Sequence, residues 1–240
     1  MIFPLPKKIK EDLKLWLCRR WEVPYSPEEI PYGLYQRIEK SQPLCVVDVG
    51  AHRGGFMKSI SRVCGVSRGL LVEALPFKID WLKRDFPSSE YTIFECAVAD
   101  RTGTIEFNLN PMSDTSSLLR LRKEMPELSA LPEGPSEVLT VQARTLDDIV
   151  GEAKLEQIDL LKIDVQGAEA IAFAGAGEML KKTRMVLTEV SLKPLYDNSA
   201  TFFDIYRIMT SAGFKMVDLN PEFRAPDGEL LQCDALFQRE

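Results

Sequence analysis

From Leu44 onward the chain alternates short apolar runs with stretches whose apolar residues recur at helical spacing. Leu44–Val49 is a continuous apolar run that ends on Asp48-Val49-Gly50, the pattern of a parallel strand buried on both faces. The spacing predicts a helix over 56–64, a second strand over 69–73, a second helix over 78–86 and a third strand over 91–98. A short strand of alternating polarity follows over 104–109. The stretch 110–135 holds four prolines and many small polar residues, which predicts a loop or lid. Beyond it come a strand over 138–143, a helix over 145–150, parallel strands over 158–164 and 185–190, and a helix over 201–212 that ends on Gly213. The last two strands, 214–219 and 231–237, are joined by a turn-rich link with no helix, so they are expected to pair antiparallel. The whole predicts a doubly wound α/β domain over 44–240.

The first 43 residues have another character and predict a helical cap. Ile9, Leu13, Trp16 and Leu17 fall at helical spacing, and a proline-rich turn separates them from a second short helix over 28–40. Trp16 and Trp21 are expected to anchor packing. The cap either covers a substrate site or joins two copies of the chain as a homo-oligomer.

Composition narrows the function. With 240 residues, 45% hydrophobic and 28% charged, the chain has material for a core without a metal or disulfide staple. A formal net charge of −6 argues against a nucleic-acid partner, and no stretch reaches the length of a membrane span. The local basic runs, Lys7-Lys8-Ile9-Lys10 and Lys78 to Arg84, are expected to be solvated helix faces. Cys18, Cys45, Cys64, Cys96 and Cys233 show no metal or disulfide spacing, so reduced thiols and a cytoplasmic location are expected.

Candidate chemistry gathers at the carboxyl ends of the strands. The turn after the first strand, Gly50-Ala51-His52-Arg53-Gly54-Gly55, lets backbone approach a ligand. A purely structural bend is the alternative. The second strand ends on Glu73, 23 residues after Gly50, where a carboxylate can accept from both hydroxyls of an adenosine ribose. Capping the helix that begins near Pro76 is its plainer role. These features permit a nicotinamide cofactor or S-adenosylmethionine. A dinucleotide fingerprint would put its first glycine at Asp48, whose charge would repel a pyrophosphate but attract a methionine ammonium. The fourth parallel strand brings Lys162 and Asp164 to one face, and Glu189 on the fifth faces the same edge. A merely stabilising Lys162–Asp164 pair is the alternative. No metal is expected, since Asp164 and Glu189 have no metal-ligand spacing.

Asp48-Val49-Gly50-Ala51 with Gly54, the strand-end Glu73, Ala97-Val98-Ala99-Asp100, Arg144-Thr145-Leu146-Asp147-Asp148, Glu189 and above all the run Leu161 to Glu169 resemble the FkbM family of methyltransferases. The resemblance covers roughly 44–240. It implies a Rossmann-like methyltransferase fold, a mostly parallel seven-stranded sheet with an antiparallel last strand. It also implies S-adenosylmethionine as cofactor, held at Asp48, Gly50, Ala51, His52, Gly54, Glu73, Ala97 and Asp164. Methyl transfer to a hydroxyl of a small molecule or sugar is then expected, with Asp164 nearest the acceptor and Lys162 and Glu189 in support. The loop over 110–135 is expected to cover the acceptor site, with Ser116, Ser117 and Leu118 lining it. His52 stands where the family commonly has Asn, and is either a turn residue or a cofactor contact. Ala74 stands where Pro is common. An NAD(P)-dependent oxidoreductase and a non-catalytic cofactor-binding module are the competing readings.

Overall fold

The computed structural model describes residues 20, 30–129, 131–132 and 136–240. Most of the expected N-terminal cap, with Trp16, Trp21 and the basic run at Lys7, lies outside the described residues. Its described part is the short helix α1 (Tyr32–Arg37), tied to the sheet by the Gly33 amide donating to Asp218 Oδ2 at 2.8 Å.

The main sheet comprises β1 (Leu44–Val49), β2 (Val66–Glu73), β3 (Tyr91–Glu95), β7 (Ile158–Ile163), β8 (Thr183–Ser191), β9 (Phe214–Arg224) and β10 (Leu230–Arg239). Their spatial order is β3-β2-β1-β7-β8-β10-β9. All neighbours pair in parallel except β10, which is antiparallel to both β8 and β9. The last strand in sequence is therefore antiparallel, as expected, but lies inside the sheet and leaves β9 at the edge. That placement explains why β9 runs on through Pro221 where a turn was expected. An edge strand tolerates a residue without an amide donor.

Side-chain alternation sends successive residues of the central strands to two cores. Val46, Leu160, Met185, Leu187 and Leu236 pack against α1 and α2 (Gly55–Val63), with α3 (Pro76–Asp85) beside them. Val47, Val49, Leu161, Ile163, Val186 and Phe237 pack against four helices: α4 (Leu146–Glu152), α5 (Glu169–Ala174), α6 (Gly177–Lys181) and α7 (Phe202–Ser211). Both faces are buried, so the strands read as continuous apolar runs. The short α5 and α6 went unforeseen in the sequence pattern.

The expected third strand over 91–98 is two strands. The Cys96 amide still donates to the Glu73 carbonyl, but from there the chain turns away as β4 (Ala97–Val98). It joins a second, three-stranded sheet with β5 (Gly103–Leu109) and β6 (Glu137–Arg144), in the order β4-β6-β5. This sheet leans over the carboxyl end of β2, with Ala74 and Leu75 packed against Phe107 and Val141.

The β1–β7 junction is where chain order reverses, the place where an open α/β sheet leaves a crevice. Gly54 caps α2 at φ 69°, and a Cβ there would overlap the Phe86 ring. A Gly54→Ala variant is expected to lose ~2 kcal/mol of stability, from left-handed backbone strain and overpacking together. Urea unfolding followed by circular dichroism checks this; an unchanged midpoint would contradict it.

Candidate active site

The glycine turn is bound to its neighbours by backbone. Gly50 sits at φ 76°, and a Cβ there would overlap the carbonyl oxygen of Asp164. The amides of Gly50 and Ala51 both donate to the Val72 carbonyl at 3.0 Å. The His52 amide donates to Glu73 Oε2 at 2.9 Å. These glycines therefore serve the junction of β1, β2 and β7 in the first instance. Glu73 also accepts from the Leu75 amide at 2.9 Å, just ahead of α3, which fixes the entry to that helix without a side-chain cap on its first turn. Each oxygen keeps further lone-pair capacity toward the cavity it lines. Burial raises the Glu73 pKa, against the pull of Lys78 and of the amides that it accepts from.

A cavity of about 290 Å³ opens between this turn, the ends of β2, β4 and β7, and residues 113–118. Leu75, Ala97, Val98 and Phe107 give it an apolar slot, and Glu73, His52 and Asp164 stand at its polar side. Of the expected cofactor residues, Gly50, His52, Glu73, Ala97 and Asp164 line the cavity. Asp48, Ala51 and Gly54 stand behind the wall.

The roof is part of the segment foreseen as a lid over the acceptor, but it closes over this cavity and not over the one lined by Lys162 and Glu189. Ser116 lines the cavity and takes the Asn110 amide on its hydroxyl at 3.0 Å. Ser117 is fully buried and donates to the Val165 carbonyl at 3.2 Å, so it fastens the roof and does not line it. From the glycine turn, His52 Nε2 approaches Asp114 Oδ1 at 2.6 Å without hydrogen-bond alignment. Burial, reinforced by Lys78, holds the His52 pKa below the usual imidazole range.

Lys78 overturns an expectation. Placed among solvated helix residues from sequence, it is only 3% exposed, lines the cavity and donates to the Ser113 carbonyl at 3.2 Å. The lysine is the third residue of α3, and the first turn of that helix places it inward under the roof. Tyr196 gave no sequence signal at all. Its hydroxyl contacts the Thr115 carbonyl at 3.0 Å and Gln166 Oε1 at 2.9 Å, joining roof to floor.

Asp164 is the centre of the polar groups. Its Oδ2 accepts from Lys162 Nζ at 3.0 Å and its Oδ1 from Gln166 Nε2 at 2.9 Å. Burial opposes ionisation, but Lys162 and Gln166 outweigh it and keep the pKa below the ordinary carboxylate range. Lys162 Nζ is also 4.0 Å from Asp48 Oδ1, and these two carboxylates hold the ammonium charged in spite of its burial. Asp48 is 1% exposed with no hydrogen-bond partner on either oxygen, and burial pushes it up to about 6.

Asp164 also lines a second cavity of about 320 Å³ with Lys162, Glu189, Glu222, Asp234 and Phe56. Glu189 accepts from Gln232 Nε2 at 2.7 Å. Burial, with Asp164 and Glu169 nearby, raises its pKa well above the usual range. One oxygen each of Asp164, Glu169 and Glu189 lies within 4.8 Å of the others, so acids expected at one sheet edge converge more tightly than their sequence spacing indicates. Glu169 is engaged by the amides of Val165 and Gly167 at 3.0 and 3.2 Å, which fixes the turn after β7.

This sheet order with an antiparallel seventh strand, an acidic β2 end and a cavity at the β1–β7 reversal define a Rossmann-like methyltransferase. The chain belongs to the FkbM methyltransferase family, whose domain it matches over residues 48–216. Over 217 residues it is 29% identical to the 2-O-methyltransferase NoeI of Sinorhizobium fredii (strain NBRC 101917 / NGR234), covering 87% of this chain and 86% of that protein. It is 22% identical over 194 residues to Methyltransferase 1 of Beauveria bassiana (strain ARSEF 2860), 76% of each chain. Among solved structures it shares its fold with the FkbM methyltransferase of Methylobacillus flagellatus KT, with a TM-score of 0.58 at 15% identity. That match covers 92% of this chain and 50% of the other, so this chain spans about half its length. A structure from Listeria monocytogenes described as an S-adenosylmethionine-dependent methyltransferase matches with a TM-score of 0.51 at 8% identity, covering 86% of this chain and 96% of that one. The family implies S-adenosylmethionine as cofactor, and the oxidoreductase and non-catalytic readings fall with it. No helix among the described residues is long and apolar enough to cross a membrane.

The acid cluster carries a pH signature. Burial, then Glu222, pushes Asp234 up to about 7, and burial pushes Glu169 up to about 7. Both hold their proton to higher pH when folded than in the unfolded chain, where carboxyls titrate near roughly 4. The folded state thus binds more protons across that interval, and these groups lose stability as pH rises from ~4 to ~7. Asp234→Asn is expected to flatten that decline. Urea midpoints at pH 5 and pH 7.5 measure it, and an unaltered difference between the two would refute the assignment.

Proposed function

We propose that this enzyme transfers a methyl group from S-adenosylmethionine to a hydroxyl oxygen of a small polyhydroxylated acceptor, a sugar being the class that fits best. The observation that carries the reading is that Asp164 lines two adjoining cavities, one suited to the cofactor and the other to the acceptor. The similarity to a protein named as a 2-O-methyltransferase supports the choice of oxygen.

The residues present fit the cofactor. Glu73 has lone pairs left for two ribose hydroxyls, and Leu75, Ala97, Val98 and Phe107 offer an apolar slot for a flat base. Beneath the turn, the buried Asp48 carboxylate, 4.0 Å from Lys162, adds negative potential for a methionine ammonium. Bound here, S-adenosylmethionine supplies a methyl carbon already activated by its sulfonium.

What remains for the protein is alignment and one proton. An acceptor oxygen must be held about 3–3.5 Å from the methyl carbon, with water kept out. The roof over residues 113–118, fastened by Ser117, Lys78 and Tyr196, closes the cofactor side. Asp164 stays ionised and accepts a hydrogen bond from a hydroxyl of the acceptor beside the reacting one, fixing the acceptor's direction. Lys162 holds Asp164 in place. Glu189, whose raised pKa makes it the stronger base once ionised, takes the proton released as the C–O bond forms. Ile30 and Pro31 line the acceptor cavity, which favours a covering role for the segment 1–43 ahead of the catalytic domain 44–240.

Isothermal titration tests the cofactor half. S-adenosylhomocysteine is expected to bind, NAD is not, and Asp48→Asn and Glu73→Gln are each expected to weaken binding about tenfold. Preferential NAD binding would sink the reading. For the chemical half, Asp164→Asn is expected to cut radiolabelled methyl transfer to hydroxylated acceptors at least about a hundredfold. S-adenosylhomocysteine affinity should drop far less. Full turnover in that variant would remove Asp164 from the mechanism.

A further inference from the structure

The second cavity has a charge imbalance that goes beyond methyl transfer. Its wall carries the carboxyl groups of Asp164, Glu189, Glu222 and Asp234, and a single cation, Lys162. That cation is already neutralised twice. It bonds Asp164 at 3.0 Å and faces Asp48 at 4.0 Å, whose buried carboxylate has no hydrogen-bond partner of its own and projects from β1 into the same polar group. The register places Asp48 beside Lys162 on β1 and β7, and Glu189 directly opposite Asp234 on β8 and β10. Carboxyls opposite one another across a ladder destabilise a sheet. Gln232 donates to Glu189 and reaches the Ser191 hydroxyl, and neither brings positive charge. Lys162 is thus the one cation, among the described residues, that faces the three further carboxyls Glu189, Glu222 and Asp234, and burial with so little positive charge raises the pKa of Glu189 and Asp234.

Resting on the methyltransferase reading above, we propose that the acceptor is a polyhydroxylated molecule bearing an amine, whose ammonium is received by Glu222 and Asp234 while one of its hydroxyls lies at Asp164. Glu222 and Asp234 are then specificity-determining residues, on the β9–β10 side of the cavity and away from the cofactor. Phe56 gives the same cavity one apolar wall, suited to the carbon-bound hydrogens on the face of a sugar ring. An ammonium offsets that shortage of positive charge and favours the ionised carboxyls, whereas an acceptor bearing a carboxylate or phosphate adds to it. A charge-based preference of this kind also weakens as salt screens it.

Three methyl glycosides that differ only in charge test this: methyl glucosaminide, methyl glucoside and methyl glucuronide. Each is titrated into protein saturated with S-adenosylhomocysteine, in the presence of a chelator, with binding read by ligand-observed NMR. The amine is expected to bind at least tenfold tighter than the uronate, with the neutral glycoside between them. Glu222→Gln and Asp234→Asn are each expected to shrink that ratio at least threefold. Glu222 is exposed, so its variant tests the idea even where Asp234→Asn folds poorly. Equal binding of amine and uronate overturns the inference, as does binding of none of the three, or binding that requires added Mg²⁺. Retained S-adenosylhomocysteine binding in the same samples separates that failure from failure of the methyltransferase reading.

Discussion

The Lys162–Asp164 pair at the end of β7 is the interaction on which the rest of the site depends. Removing an ion pair from water costs more than its Coulomb attraction returns unless further hydrogen bonds complete it. Here Gln166 satisfies the second oxygen of Asp164, Tyr196 satisfies Gln166, and the same tyrosine hydroxyl reaches the carbonyl of Thr115 in the roof. One buried charge thus organises a chain of contacts from the sheet to the cover of the cofactor cavity. With Asp48 close by, Lys162 also keeps two acidic groups of neighbouring strands from repelling one another apart.

Around this fixed pair the acids divide by environment. Asp164, beside the lysine, ionises readily; Glu189 and Asp234, further along the sheet, resist ionisation because burial and one another's charge oppose it. Two carboxyls of one chemistry acquire different roles through placement alone, one as a constant hydrogen-bond acceptor and the other as a group able to take a proton.

Much of the frame was legible in the sequence because both faces of the central strands are buried. Leu44–Val49 and Ile158–Ile163 carry unbroken apolar runs, and strand ends rich in Asp, Lys and Glu stand out against them. The Lys162–Asp164 contact followed from period-two geometry. What escaped depends on contacts distant in sequence. β4 leaves the main sheet to pair with β6, nearly fifty residues on, and no local pattern at Cys96 announces it. Lys78 reads as one more charged helix residue until the second sheet and the roof close over it. The binding turn was found for a reason only partly its own, since Gly50 makes room for a neighbouring strand as well as for any ligand. Tyr196 has no pattern around it that distinguishes a roof support from any other aromatic.

The contact between Gly50 and the Asp164 carbonyl has a consequence for how such an enzyme diversifies. It is a close approach of main-chain atoms, so the spacing between the glycine turn and the end of β7 does not depend on the side chains of β1 or β7. The walls of the acceptor cavity come instead from Ile30 and Pro31 ahead of the sheet and from Glu222 and Asp234 in its terminal strands. Those parts can exchange residues without disturbing the junction of β1 and β7. A lineage built this way is free to drift in what it methylates while its donor chemistry stays locked in the backbone.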